Sequence, residues 1–261
     1  MFNYKAYLFL AFMVGILVMV MVMLRMDRDG LLYREISKKV LPITQEWVAI
    51  PDKKLPSVFT SDLTKEINDW QWLKPHLIDY RFDQSGLTIT VKEESVWWRN
   101  KSAAGFFQLI DGDVEFQVNV KTRKASDNTS YPDRDYQFGG IILRNPLSNA
   151  IFGRENYVFN VIGYRGSKLQ VETKSTENGF SKVVAQDWPS GDAELKVIRH
   201  GHHIKMYARE FHSQYWIEIN SIERKDLPDT LELGLIVYST GIGNRGTDIA
   251  INFKNLRVDH N

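Results

Sequence analysis

The chain has 261 residues, with 43% apolar, 25% charged and a net charge of +1. That balance excludes a global field for nucleic acid or an anionic surface, and the content is that of an ordinary globular domain. Cysteine is absent, which excludes disulfides, thiolate metal sites and a cysteine nucleophile.

The first element is apolar. From Tyr7 to Leu24 the chain reads YLFLAFMVGILVMVMVML without a charge until Arg25. As a helix this run would reach roughly 27 Å, close to a hydrocarbon core of about 30 Å. A cleaved signal peptide would have a shorter apolar region ending in small residues of the A-x-A type. Here the run ends in Met23-Leu24-Arg25-Met26-Asp27, so 7–24 is expected to be a retained single-pass anchor. Six of the seven methionines lie in the first 26 positions, which sets this segment apart from the rest. Arg25, Arg28, Arg34, Lys38 and Lys39 come after the run and argue for a cytoplasmic domain. The very short N-terminal tail is the layout of a signal anchor that exports the chain beyond it. The expectation is export, to the periplasm or cell surface.

Residues 25–70 read as a juxtamembrane stalk and linker. Leu31, Leu32, Ile36, Val40 and Ile43 recur among basic residues, Pro42, Pro51 and Pro56 punctuate the chain, and Ser61 or Asp62 could cap one helical turn. From 71 to 261 the period becomes two. Alternation over 87–91, 114–120, 157–161, 168–172, 194–197, 204–207, 231–237 and 249–253 predicts strands with one buried face. Turns are predicted at Asp111-Gly112-Asp113, Gly163 to Gly166, Asn178-Gly179, Ser190-Gly191-Asp192 and Gly241 to Gly246. About ten short strands without a long helical period predict an all-β, two-sheet antiparallel sandwich or jelly roll. No 20–50-residue repeat points to a propeller or solenoid.

The motif order resembles a known family. Trp97-Trp98, Gly112-Asp113-Val114-Glu115-Phe116, Phe138 through Arg144 and Asn156-Tyr157-Val158 look like the concanavalin A-like (laminin-G-like) jelly rolls. Glu194 through Gly201 resembles the L-x-V-x-R-x-G strand and turn of the small bacterial DUF1349-type domains, to which the chain is most similar. Tyr207 through Trp216 departs from their Asp-Gly turn. The resemblance covers roughly 75–258. It implies carbohydrate or protein binding as the commonest role, with glycoside hydrolases and lyases as a minority, and fold does not fix function.

Candidate sites lie in loops and on strand faces. Tyr131, Arg134 and Tyr136 belong to the long 121–136 loop, and long loops on a sandwich are disproportionately functional. With Arg144 as a planar donor and Trp188 as a stacking face, they form the predicted glycan surface, a place at the core edge being the plainer reading of Trp188. Glu115 and Glu172 are the alternative, a glycosidase pair about 5–10 Å apart if their strands neighbour one another. Solvated strand residues are the plainer reading of both. Trp97 and Trp98 would point to opposite faces, so at most one belongs to the core. Asp111 with Asp113, and Asp133 with Asp135, offer two hard oxygens each, a partial calcium set, but no cofactor is required. His200, His202 and His203 sit around Gly201 in a predicted solvent-exposed turn. No G-x-S-x-G, P-loop, Rossmann or H-E-x-x-H motif is present, and nothing supports nucleic-acid recognition. The reading is a membrane-anchored lectin-like module rather than an enzyme. A carbohydrate-active enzyme and a module docking a membrane partner are the alternatives.

Overall fold

A computed structural model describes residues 58–148, 154–240 and 247–260. The chain divides into Met1–Val48 and Ala49–Asn261, and every described residue belongs to the second unit. The apolar run at 7–24, most of the 25–70 stretch and the predicted Gly241 to Gly246 turn lie outside the described residues. No helix among the described residues is long and apolar enough to cross a membrane.

The domain is all-β. Its strands are β1 (Val58–Ser61), β2 (Gln71–Leu73), β3 (Ile78–Asp83), β4 (Gly86–Val91), β5 (Gly105–Asp111), β6 (Val114–Arg123), β7 (Gln137–Arg144) and β8 (Tyr157–Arg165). They continue as β9 (Lys168–Glu177), β10 (Phe180–Asp187), β11 (Asp192–His200), β12 (His203–Arg209), β13 (Ile217–Glu223), β14 (Thr230–Ser239) and β15 (Ala250–His260). One 3-10 turn, Pro75–Leu77, precedes β3.

Two antiparallel sheets result. The eight-stranded sheet runs β13-β12-β11-β6-β15-β4-β3, with β1 on β15, and the seven-stranded sheet runs β10-β9-β8-β7-β14-β5-β2. β4 flanks β15 over Ala250–Phe253 and β1 takes over at Leu256–Asp259. The switch falls where Asn255 adopts φ +53° and the pairing with β6 slips. β1 therefore lies inside the stretch read as stalk. Ser61, expected to cap a helical turn, instead ends β1 and its Oγ accepts from the Leu63 N–H at 3.0 Å.

Alternation places the core as expected. Val114, Phe116, Val118 and Val120 are buried while Glu115, Gln117 and Asn119 are half-exposed. Phe106 is a hub on the seven-stranded side, its ring 4.5 Å from Trp72, 5.1 Å from Trp70 and 6.0 Å from Phe82. Polar staples join the sheets: Arg224 donates to Tyr157 O (3.0 Å) and Thr176 O (2.8 Å), and Asn160 Nδ2 donates to Tyr207 O (2.7 Å). The Asn178-Gly179 hairpin forms as predicted, with φ +48° and +78°, the left-handed pair a two-residue turn requires. The predicted turn at Gly163 is instead strand, because β8 runs to Arg165 and reverses at Gly166-Ser167.

Candidate functional site

The outer face of the seven-stranded sheet, away from the core, is itself buried. Register dictates what it presents. Val158, Ile162 and Val171 face the inter-sheet core, so Tyr157, Phe159 and Val161 face outward. Opposite them on β9 stand Thr176, Lys174 and Glu172. A second apolar cluster of Trp97, Phe107, Phe138, Ile142, Tyr157, Phe159 and Tyr238 forms there. The Phe107 ring lies across Gly105 and Gly234. A Cβ at those glycines would stand 2.5 and 2.4 Å from ring atoms, so only glycine admits the ring.

The segment 92–104, between β4 and β5, covers this face. It is tied down by backbone bonds between Ser95 and Ser239 (3.0 and 2.8 Å) and by Arg99 N–H donating to Ser181 Oγ (3.2 Å). Trp97 points in and is fully buried, whereas Trp98 points out and is 40% exposed. That is the opposition expected of adjacent extended residues.

Beneath the segment lies a buried charge network. Lys174 Nζ donates to Trp97 O at 2.9 Å. It stands 4.6, 5.0 and 5.1 Å from the ring centroids of Phe159, Trp98 and Tyr238, an aromatic cage for a cation. Its carboxylate neighbour is Glu172, at 3.6 Å. Glu172 also accepts from Tyr238 OH (3.1 Å) and Arg165 Nη1 (3.0 Å), and Arg165 lies 5.2 Å over Tyr136. Burial lowers the Lys174 ammonium to about 8, only partly offset by Glu172. Burial, reinforced by Glu172, holds the Tyr238 phenol well above its ordinary value.

The predicted pair Glu115 and Glu172 does not assemble. Glu115 is on β6 in the eight-stranded sheet, points away from the core and pairs with Lys196 at 3.3 Å. Glu172 points away from the core on the other sheet. Two stacked sheets, about 10 Å apart, stand between the carboxylates. The strand-neighbour condition of the pair fails because alternation sends both residues outward from opposite layers.

Other predicted residues are committed internally. Arg144 is buried and forks onto Glu155 (2.9 and 3.2 Å) while also donating to Glu232. It clamps β7 to β14 and presents no donor to a ligand. Trp188 is buried in the core, its Nε1 donating to Asp192 O at 3.1 Å, and so occupies the core-edge position. Tyr131 is 39% exposed, under the Arg123 guanidinium at 4.7 Å and packed against Gly191. Arg134 pairs with Asp248 at 3.8 Å. Tyr136 is half-buried, at φ +63°. These three line one end of the sandwich, as does the buried Trp188, whose partner Asp192 pairs with the Arg123 that covers Tyr131, whereas Arg144 ends β7 at the opposite end.

The aspartates serve turns. Asp111 accepts from Thr230 and Asp113 from Gly201 N–H (2.6 Å), which holds the Asp113 carboxyl low, with His200 assisting. Asp133 pairs with Lys124, and Asp135 accepts from Gly166 N–H at 2.7 Å. Among the described residues no three acidic or histidine groups converge on a metal position.

Beside the 92–104 segment is an open groove of about 510 Å³, lined by Lys74, Leu77, Glu94, Val96, Asn100, Lys101 and Ser102. Lys74, at φ +51° before Pro75, turns its ammonium onto Ser102 O at 2.5 Å. Burial lowers its pKa, opposed by Glu155 and aided by Arg144. None of these lining residues was legible as a site, because Lys74 and Glu94 lie in irregular segments with no motif. Lys174 was hidden too. Glu172 read as a solvated strand residue, and Lys174 lies just past the alternating stretch at 168–172.

No family model matches the sequence, and no curated protein matches it. Solved structures do. A functionally unknown protein from Saccharomyces cerevisiae superposes with a TM-score of 0.58 at 15% identity, over 72% of this chain and 95% of that one. The GH43 BlXynB protein from Bacillus licheniformis gives 0.57 at 13% identity over 77% of this chain. This chain spans only 39% of that one. Lectin I-B4 from Griffonia simplicifolia gives 0.51 at 12% identity over 77% and 98%. At such identities the likeness is one of fold, a two-sheet β-sandwich shared with proteins of different activity.

Proposed function

We propose that this protein is a carbohydrate-binding module that seats a saccharide in the groove beside the 92–104 segment, with Trp98 as the flanking stacking face. The observation that carries the reading is that groove: open, about 510 Å³, and mixed in lining, with Asn100, Ser102 and charged side chains beside Leu77 and Val96. Saccharides need polar partners for hydroxyls and flat apolar faces for ring C–H groups. Trp98 lies two residues before Asn100 and is held from beneath by the Lys174 cage, so its ring is pre-oriented. The sandwich fold shared with a lectin and a GH43 protein is compatible with this role. The resemblance to small bacterial jelly rolls points the same way. The apolar run at 7–24 would tether the module to a membrane, with the domain outside the cytoplasm.

Titration against a panel of neutral and acidic oligosaccharides tests binding. Trp98→Ala is expected to weaken it at least about tenfold without unfolding the domain, since truncating an aromatic anchor of a binding site costs about 2 kcal/mol. Undiminished binding by Trp98→Ala would remove that residue from the site. Protease access to the domain in intact cells tests the orientation.

A further inference from the structure

The groove wall carries more cationic than acidic side chains. Cations on the strands are widely matched: Arg123 with Asp192, Arg165 with Glu172, Lys196 with Glu115 and Arg209 with Glu194. Among the described residues Lys74 and Lys101 make no ion pair, although Lys74 is partly withdrawn from solvent and Lys101 lines the same groove. Arg99, one residue before Asn100, sets its guanidinium over the Trp98 ring at 5.9 Å. Among the described residues Glu94 is the only acidic one on the groove wall. Lys74 has three N–H donors, and Ser102 O takes one of them. Its nearest carboxylate influence, Glu155, is already occupied by the Arg144 fork.

Resting on the saccharide reading, we infer that the groove takes an acidic sugar, an oligomer of uronic acids whose carboxylate is bound by Lys74 and Lys101. Lys74 is partly drawn out of water and makes no ion pair of its own, with Glu155 already engaged by Arg144, and a ligand carboxylate would supply one through a charge-assisted hydrogen bond. The downward shift of Lys74 is what such a site has before its anion arrives. Asn100 and Ser102 line the same groove as the two lysines, so recognition of the carboxylate and of the sugar occurs in one cavity.

The test is calorimetric titration of the full chain in detergent with galacturonate, glucuronate and mannuronate tetramers. Each is compared with its carboxyl-reduced neutral counterpart. At least one acidic tetramer is expected to bind about tenfold or more tighter than its reduced form, with the preference shrinking between about 0.05 and about 0.5 M salt. Lys74→Met should weaken binding of the acidic tetramer more than that of its reduced form, bringing the ratio of the two toward one, while Lys74→Arg should restore part of the preference. Lys101→Met, on an exposed side chain, keeps the test open if Lys74→Met fails to fold. Equal binding of acidic and reduced tetramers overturns this inference and leaves the saccharide reading standing. Binding of neither kind overturns both.

Discussion

The two sheets of this sandwich carry charged outer faces of opposite character. On the eight-stranded sheet, Glu115, Lys196, Glu194 and Arg209 form ion pairs that water reaches, with Lys196 and Arg209 lying 4.3 and 4.4 Å over Trp216. On the seven-stranded sheet, Glu172 and Lys174 are almost completely buried under the 92–104 segment and a layer of aromatics. Alternation is the same in both, and both strands read as polar outside and apolar inside. What differs is coverage. An exposed ion pair contributes little, whereas a buried one is costly to desolvate and strongly destabilising to break. The covered face is therefore a rigid support, and the proposed saccharide surface is built on the segment that covers it.

That contrast can be broken at several points. The largest effect is expected at Glu172. Glu172→Leu leaves Lys174 buried without a carboxylate, which should cost about 3 kcal/mol or more in urea denaturation, at the low end for buried pairs because Arg165 is partly exposed. A loss no larger than at Glu115 would erase the distinction between the faces.

Next comes pH. Lys174 is lowered to about 8 in the folded chain, against an ordinary value of 10.5. Between those values the unfolded chain holds more protons, so stability rises with pH, by about 2 kcal/mol between about pH 8 and 10. Lys174→Met should flatten that rise. Above about pH 10 the effect reverses. Tyr238 and Tyr157 are raised by burial, so the unfolded chain loses its phenolic protons first and stability falls. Denaturation curves at three alkaline pH values that show no difference between wild type and Lys174→Met would reject the buried-amine account.

On the wet face, Lys196→Ala removes a cation from Trp216 and a partner from Glu115. A cost of about 1 kcal/mol is expected, shrinking in about 1 M salt. Glu115→Gln should cost below about 0.5 kcal/mol. A salt-independent cost above about 2 kcal/mol would place Glu115 in the same class as Glu172.

Much of the fold was legible. Period-two stretches at 87–91, 114–120 and 231–237 became β4, β6 and β14, since one apolar side chain in two needs one buried face. The weak strands were not. β1, β2 and β10 are short or lie on edges, where burial enforces no pattern, and FSKVVAQD exposes most of its residues. The site was less legible still. Arg144 and Trp188 had the residue types of a sugar site, yet their partners, Glu155 and Glu232 for one and the Asp192 carbonyl for the other, turn them inward. Lys174 had the opposite fate, a surface-type residue that became a caged, desolvated amine.

By itself the sequence determined the class of architecture, the hairpin at Asn178-Gly179, the opposition of Trp97 and Trp98, and the apolar character of 7–24. These come from local rules: strand alternation, left-handed turn residues, and an uncharged run long enough to span a bilayer. Only the tertiary structure decided which carboxylates share a layer, which cations find partners, and that a second aromatic layer lies outside the core. Those outcomes depend on strand order and on where one irregular segment crosses a sheet, and neither is encoded in the periodicity of any single strand.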